Sequence, residues 1–279
     1  MSDGSRLMAG KRGLVMGVAN ARSLAWGIAK TVAAHGAELA FTYQGEALER
    51  RVRPLAQSIG SDFLIPCDVG DDAQLDQVFA ELTRRWGGLD FVVHAIAFTD
   101  KDALKEDYAS TTRATFALTL DISCYSFTAV AQRAARLMPN GGAMVTLSYY
   151  GAERAIPHYN VMGVAKAALE ASVRYLAVDL GRKQIRVNAI SAGPIKTLAA
   201  SGIGDFSYIL KWNQLNAPLK RNTTIEDVGN AALYLMSDLG TGVTGVVHHV
   251  DCGYHVVGMV AVDEAKGVSE LLATFDKPD

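Results

Sequence analysis

A tyrosine and a lysine, Tyr159 and Lys166, are spaced so that they could act together in chemistry. Seven residues make two helical turns, about 10.5 Å of rise, so both side chains would lie on one face of a helix. A cation on that face can lower the pKa of the phenol and bind ribose hydroxyls, while the phenol donates a hydrogen bond to a carbonyl that gains charge. Such a pair is more often a packed tyrosine and a surface lysine. Here, however, it follows an apolar run at the expected ligand crevice, which favours chemistry.

A glycine turn near the N-terminus is the second feature. Gly17 ends an apolar run, and Ser23 and Gly27 follow it without the spacing G-x-G-x-x-G. At such a turn a small residue lets the backbone approach a pyrophosphate, and the helix N-terminus supplies N–H groups and a positive dipole. On spacing alone, a tight turn with a glycine that packs closely between helix and strand is an equally good interpretation.

Polar residues end the next two apolar runs. Gln44 stands where nicotinamide-dependent enzymes commonly carry an acid for the adenosine ribose, and its amide can bind a ribose without repelling a phosphate. Asp68 could receive the adenine amino group or, equally, cap the following helix. Arg50 and Arg51 could meet a 2′-phosphate, although a solvated helix face is the favoured interpretation.

Apolar runs and amphipathic stretches alternate along the whole chain. The runs predict strands at 13–17, 38–43, 63–67, 91–94, 143–146, 186–190 and 246–250. The amphipathic stretches predict helices at 25–35, 46–59, 73–86, 112–138, 159–181 and 223–236, the last opened by a capping box. Uniformly apolar strands separated by helices indicate a parallel sheet covered on both faces, which is the doubly wound Rossmann-type α/β architecture.

The alternation predicts one dinucleotide-binding and catalytic domain over residues 1–279. The stretch 194–218 interrupts it and carries the large side chains Phe206, Tyr208 and Trp212. An insertion after the carboxyl end of a strand lies over the ligand crevice, so we expect a substrate-binding lid here rather than a plain surface excursion. Residues 258–279 would form a C-terminal extension.

Composition excludes several classes of protein. The 279 residues are 49% hydrophobic and 20% charged, and 27 basic against 29 acidic residues leave a net charge of −2, which argues against nucleic-acid binding. No apolar stretch approaches the roughly 20 residues that span a bilayer, so no membrane association is expected. Three distant cysteines, Cys67, Cys124 and Cys252, fit neither a disulfide framework nor a zinc site. A reduced cytoplasmic protein without a metal is expected.

These pieces together resemble the bacterial enoyl-acyl-carrier-protein reductases, a divergent branch of the short-chain dehydrogenase/reductases. The six-residue gap between Tyr159 and Lys166 is specific to this branch, and the likeness extends over about residues 8–260. The resembling segments are 17–20 with Ser23 and Gly27, 41–44, 67–69, 148–166, 188–203 and 224–229.

The resemblance implies the role of each residue. Hydride would pass from NADH to the β-carbon of a trans-2-enoyl thioester in fatty-acid elongation, with Tyr159 stabilising the enolate and Lys166 binding the nicotinamide ribose. Tyr149 matches a second tyrosine beside the substrate, and Thr99 a substrate contact that is usually Ala. The positions that match cofactor contacts are Gly17, Ser23, Leu24, Gln44, Asp68, Val69, Ile96, Lys166, Ile195 and Thr197. Ala97 and His158 depart from the family pattern, which affects the shape of the pocket.

Two alternatives remain. A 3-ketoacyl or other carbonyl reductase would use the same Tyr159 and Lys166, with Ser148 near the position of its active serine, although Tyr149 argues for enoyl chemistry. A catalytically silent NAD-binding sensor is the other. The partners implied are acyl carrier protein and further copies of the chain, as a homotetramer, and NADH is expected over NADPH because Gln44 offers no cation.

The remaining histidines and cysteines have simpler explanations. His248 and His249 are adjacent in a strand and point to opposite faces, so they cannot chelate one metal; core and subunit-interface positions are expected. His94 is expected to be a hydrogen-bonded core residue. Cys124 is expected to lie away from the site.

Overall fold

Seven parallel strands form one sheet in this computed structural model, which describes residues 6–197 and 206–259 and the isolated positions 267, 269, 270 and 273. Their spatial order is β3-β2-β1-β4-β5-β6-β7. The order reverses direction between β1 and β4, and this reversal is the switch point at which doubly wound sheets bind ligands. The strands are β1 Arg12–Met16, β2 Glu38–Tyr43, β3 Phe63–Pro66, β4 Phe91–His94, β5 Gly142–Ser148, β6 Ile185–Ala192 and β7 Val247–Val250.

Helices connect the strands and cover both faces of the sheet. The helices in the described residues are α1 Leu24–Ala34, α2 Gly45–Ser58, α3 Asp72–Trp86, α4 Arg113–Leu120, α5 Ser126–Ala134, α6 Asn160–Gly181, α7 Phe206–Asn216 and α8 Ile225–Met236. A single turn of π-helix, Asp121–Tyr125, joins α4 to α5, so the helix expected at 112–138 is continuous but locally widened. The seven-stranded Rossmann-type prediction is confirmed.

The core lies in two layers, one on each face of the sheet. Leu14 and Val92 belong to the layer under α3, α5 and α6, whereas their neighbours Val15 and Val93 face the layer under α1, α2 and α8. Successive side chains of a strand point to opposite faces, so both layers require apolar residues at every position. The uniformly apolar runs in the sequence follow from this double burial.

The start of α8 carries the capping box that the sequence predicts. The Thr224 hydroxyl accepts from the Asp227 amide, and the Asp227 carboxylate accepts from the Thr224 amide, which is the capping box expected before α8.

Within the expected lid, residues 198–205 lie outside the described part of the chain. The following helix α7 is held by the Trp212 indole, which donates to the Tyr254 hydroxyl at 2.9 Å. The lid and the single domain over 1–279 remain predictions.

The expectation about the length of apolar stretches needs a correction. The segment Arg113–Ala134 has 22 residues, a mean hydropathy of 1.3 in its most apolar window and 39% of that window buried, so by length and composition it could cross a bilayer. The expectation that no stretch reaches this length is therefore wrong. Half-buried core helices also meet this criterion, and the exposed Asp121 lies at the centre of the segment.

Candidate active site

The switch point brings Gly17 against the end of β4. Gly17 has φ +98°, and a Cβ atom on it would lie 2.1 Å from the carbonyl oxygen of Ala95. The Ala95 amide in turn donates to the carbonyl of Met16 at 3.0 Å. Only glycine fits this backbone approach, and it leaves the mouth of the crevice open above β1 and β4.

The loop after Gly17 folds around Ser23. Its Oγ accepts from the amides of Ala19 and Asn20, both at 3.0 Å, and does not cap α1. The first turn of α1 carries no acidic residue. A helix start with uncapped amides and no nearby carboxylate suits a pyrophosphate, so the residues present fit a dinucleotide.

Gly27 has a different packing partner from the one expected. A Cβ atom on Gly27 would lie 2.7 Å from the carbonyl oxygen of Ile225, and one on Gly229 would lie 2.3 Å from the Thr31 hydroxyl. Gly27 therefore allows close contact between α1 and α8, and the expected helix–strand contact was wrong.

Gln44 and Asp68 meet at the ends of β2 and β3. The Gln44 amide donates to the Asp68 carboxylate at 2.8 Å, and the Gly70 amide donates to the other Asp68 oxygen at 2.9 Å. The helix that follows is capped by Asp71, which accepts from two amides of its first turn. The capping alternative for Asp68 is wrong, and the pair forms a polar edge suited to adenosine.

Tyr159 is buried against a second tyrosine. It lies one residue before α6 and is 8% exposed, and its ring centroid is 5.0 Å from that of Tyr149 in an edge-to-face arrangement. Burial raises the pKa of the Tyr159 phenol, and the nearby Tyr149 and Glu170 raise it further. The pKa lowering expected from a neighbouring cation is wrong for this structure, in which the phenol stays protonated and can donate a hydrogen bond.

Lys166 is buried at the same edge of the sheet. Its Nζ donates to the carbonyl of Leu147, in β5, at 2.7 Å, and the residue is 6% exposed. Burial lowers the pKa of Lys166 to about 8, although Cys124 and Glu170 act in the opposite direction. The surface-lysine alternative is therefore wrong. Cys124 lies close enough to act on this ammonium, which corrects its expected remoteness.

Sequence reasoning missed three residues that position the tyrosine. A Cβ on Gly151 would lie 2.3 Å from the Tyr159 ring, and one on Gly163 would lie 2.7 Å from the Gly151 carbonyl. Asn160, at φ +33°, donates through its side-chain amide to the carbonyl of Glu106 and thus ties the start of α6 to the loop after β4. The glycines in the segment between the two tyrosines and the lysine were the available signal.

Glu170 is a further residue that sequence reasoning missed. The Ser148 hydroxyl donates to its carboxylate, and both residues are buried. Burial raises the pKa of Glu170, and the hydrogen bond from Ser148 acts against this rise. Ser148, the position compared with the active serine of carbonyl reductases, is thus engaged with an acid on α6.

The other expected contact residues line the same edge of the sheet. Thr99 is buried, and its hydroxyl lies 2.6 Å from that of Thr119, so its polar atom is engaged with α4. Apolar positions pack at the top of the core, Val69 and Ile96 on one face and Leu24 and Ile195 on the other. The amide of Thr197 donates to the carbonyl of Ile195 at 2.8 Å.

His94 follows the simpler expectation, whereas His248 and His249 are half-buried and their place at a subunit interface remains a prediction. His94 is fully buried between the hydroxyls of Thr146 and Ser126, and burial lowers its pKa to about 3. His248 faces Tyr234 on α8, while His249 bonds to Glu153 at 2.6 Å on the other side. In the described residues no group of three or more His, Cys, Asp or Glu side chains could hold a metal.

Comparison with known proteins agrees with the site. Residues 17–255 match the family model described as enoyl-(acyl carrier protein) reductase. Enoyl-[acyl-carrier-protein] reductase [NADH] 1 of Rhizobium meliloti is 68% identical over 94% of this chain and 97% of its own. Among solved structures, an enoyl-(acyl-carrier-protein) reductase of Anaplasma phagocytophilum in complex with NAD is 63% identical with a TM-score of 0.89, covering 92% of this chain and 98% of that one. The Bacillus cereus reductase, solved with NADP+ and an indole naphthyridinone, is 52% identical with a TM-score of 0.89, covering 91% and 99%.

The doubly wound parallel sheet, with its glycine turn at the switch point and its buried tyrosine and lysine, defines a nicotinamide-nucleotide-binding oxidoreductase. The chain belongs to the enoyl-acyl-carrier-protein reductase family.

Proposed function

We propose that this chain reduces the trans-2 double bond of enoyl-acyl-carrier-protein thioesters with NADH, as a cytoplasmic enzyme of fatty-acid elongation. The observation that carries the proposal is the buried Tyr159, packed edge-to-face on the half-buried Tyr149, with the buried Lys166 two turns further along α6 at the carboxyl edge of the sheet. The family membership and the printed names of the relatives support it.

The cofactor site is built from the chain's own turns. Gly17, Ser23 and the start of α1 would hold the pyrophosphate, Gln44 and Asp68 the adenosine, and Lys166 the nicotinamide ribose. Leu24, Val69, Ile96, Ile195 and Thr197 would contact the cofactor around them. When bound, the cofactor supplies a hydride to the β-carbon of the substrate.

Tyr159 is proposed as the group that stabilises the enolate. Addition of a hydride to the β-carbon moves the π electrons onto the thioester oxygen, and the α-carbon later takes a proton. A neutral phenol in a site of low water content donates to that oxygen at little cost in reorganisation. Tyr149 and Thr99 would line the acyl chain beside it.

Lys166→Ala is expected to weaken NADH binding more than it slows turnover. The ammonium would donate to the nicotinamide ribose, and loss of a charged hydrogen bond costs about 1.5–3 kcal/mol, or roughly 10–100-fold in Kd. Fluorescence titration with NADH measures the change. Lys183→Ala, at an exposed position after α6, is the control. A normal Kd for Lys166→Ala would remove Lys166 from the ribose site.

We expect a preference for NADH over NADPH. Gln44 offers no cation to a 2′-phosphate, Asp68 places a carboxylate beside it, and Arg50 is paired with Glu46 at 3.1 Å on an exposed helix face. The ratio of kcat/KM for the two cofactors is the measurement. A ratio in favour of NADPH would show that Arg50 or Arg51 reaches the phosphate.

A homotetramer is the proposed assembly. The adjacent surfaces of α4 and α6 expose large apolar side chains, with Tyr175 and Val178 about three-quarters accessible, at 76% and 75%. The other exposed members are Phe116 and Leu118 on α4, Val164 on α6 and Tyr125 in the π-helical turn after α4. An exposed patch of this kind indicates an interface, and further copies of the chain are its proposed occupants. Light scattering should give a mass of four chains, and a monomer would contradict the proposal.

The alternatives are distinguished by turnover. In a carbonyl reductase Ser148 would be available to the substrate, whereas here its hydroxyl is engaged with Glu170. A silent sensor would bind NADH without consuming it. With a crotonyl thioester, we expect one NADH oxidised for each butyryl thioester formed. Binding without turnover of any thioester, in folded protein, would support the sensor and contradict the proposal.

A further inference from the structure

Two consecutive residues at the end of β5 hold two charged side chains of α6. The carbonyl of Leu147 accepts from Lys166 Nζ at 2.7 Å, and the hydroxyl of the next residue, Ser148, donates to the Glu170 carboxylate. Lys166 and Glu170 are four residues apart on α6, so their Cβ atoms are neighbours about 5–6 Å apart. The end of β5 thus holds a buried cation through a backbone carbonyl and a buried acid, one helical turn further along α6, through a hydroxyl.

Both side chains are buried, so the charge of each affects the protonation of the other. Lys166 is 6% and Glu170 7% exposed, and neither charge has the water that would stabilise it at a surface. A buried ammonium tends to lose its proton, and a neighbouring carboxylate opposes that loss. Lys166 is placed in the proposed mechanism as a cation, so the charge of its neighbour bears directly on whether it can act.

We propose that Glu170 is a positioning residue of the active site, whose carboxylate, held by Ser148, keeps Lys166 charged and directed to the carboxyl edge of β5. Glu170 touches neither substrate nor cofactor in this account and acts only through Lys166. For turnover the inference rests on the proposed function, whereas the protonation of Lys166 in the unliganded chain does not depend on it.

Several other groups act on this pair. Arg174 lies one turn further along α6, Glu153 follows the 3-10 turn Tyr150–Ala152, and His249 belongs to β7. Glu153 raises the pKa of Glu170, whereas His249 and Arg174 lower it. Cys124, from the π-helical turn, raises the pKa of Lys166, and Tyr149 and Glu170 raise the pKa of Tyr159. His249 bonds to Glu153 at 2.6 Å, which supplies a local partner for that second carboxylate. Glu170 is the carboxylate that raises the pKa of both Lys166 and Tyr159.

The direction of the pH effect follows from the charges. Burial lowers the pKa of Lys166 to about 8, and Cys124 and then the Glu170 carboxylate oppose this lowering. Removing that negative charge lowers the pKa of Lys166 further, so the ammonium is lost at a lower pH. NADH binding would then weaken at a lower pH than in the parent protein, and activity would follow it.

Glu170→Gln is the test, because it removes the charge but keeps the size and a carbonyl acceptor for Ser148. We expect the alkaline midpoint of NADH binding, measured by fluorescence, to fall by about one pH unit. The lysine Nζ titration, followed by NMR in the unliganded protein and assigned with Lys166→Ala, should move by the same amount. Ser148→Ala should give a smaller shift in the same direction.

Glu153→Gln is the matched control. It removes an equal charge from the same cluster, but Glu153 does not act on Lys166, so the alkaline midpoint should stay within about 0.3 pH units. Folding of each variant is checked by its thermal transition. An unchanged Lys166 titration in folded Glu170→Gln protein, or an equal shift in Glu153→Gln, would overturn the inference. Absence of enoyl reduction would contradict the proposed function alone, because the Lys166 titration is measured without substrate.

Discussion

Tyr159→Phe is expected to lower kcat on an enoyl thioester by about 10²–10³, the usual cost of losing one donor to a developing oxyanion. The ring would keep its edge-to-face contact with Tyr149, 5.0 Å between centroids, so folding should change little. KM for NADH should stay near the parent value, because Lys166 and the glycine turn are intact. Steady-state kinetics at saturating NADH, with a thermal-unfolding curve, make the measurement.

The controls for this variant separate the two tyrosines. Tyr234→Phe makes the same change on the partly exposed face of α8 and should leave kcat unaltered. Tyr149→Phe should cost less than Tyr159→Phe if Tyr149 only lines the substrate. A parent-like kcat for Tyr159→Phe would mean that Tyr149 or a water is the donor.

Gly17→Ala is expected to damage both stability and cofactor binding. The new Cβ would lie 2.1 Å from the Ala95 carbonyl oxygen and would sit at φ +98°, so β1 and β4 would have to separate at the switch point. Overpacking costs about 1–3 kcal/mol and a strained backbone of this kind a similar amount, so we expect about 2–6 kcal/mol of lost stability. The displaced turn should weaken NADH binding by about tenfold or more.

Gly87→Ala is a matched control for the backbone conformation. Gly87, at φ +71°, ends α3, and its Cβ would meet nothing within 4 Å. It should therefore show only the strain of the left-handed conformation, about 1 kcal/mol, with normal NADH binding. Equal losses in both variants would mean that the contact between Gly17 and Ala95 is not important.

The strands of the sheet could be predicted because the signal for each strand lies in that strand's own residues. Residues buried on both faces leave a run of apolar side chains, and β2 and β4 have the bounds that these runs predict. The capping box of α8 was visible for the same reason, since its two partners are three residues apart. The π-helical turn Asp121–Tyr125 left no such pattern in the sequence.

The site was predictable only in part. Tyr159 and Lys166 were found because they are neighbours along the chain, on one helix. The hydrogen bond between Ser148 and Glu170 was missed because it depends on how α6 packs on β5. The contact of Gly27 with Ile225 was missed because it joins two helices that are far apart in the sequence. The pKa lowering expected for Tyr159 was wrong, because burial raises the pKa of the phenol and Tyr149 and Glu170 raise it further.

The central claim is that this site reduces carbon–carbon double bonds. The most direct measurement compares kcat/KM with NADH for a trans-2-enoyl thioester and for the 3-ketoacyl thioester of equal chain length, both on acyl carrier protein. We predict rapid oxidation of NADH with the enoyl substrate and none above background with the keto substrate. Turnover of the keto substrate alone would contradict the account and assign the chain to carbonyl reduction.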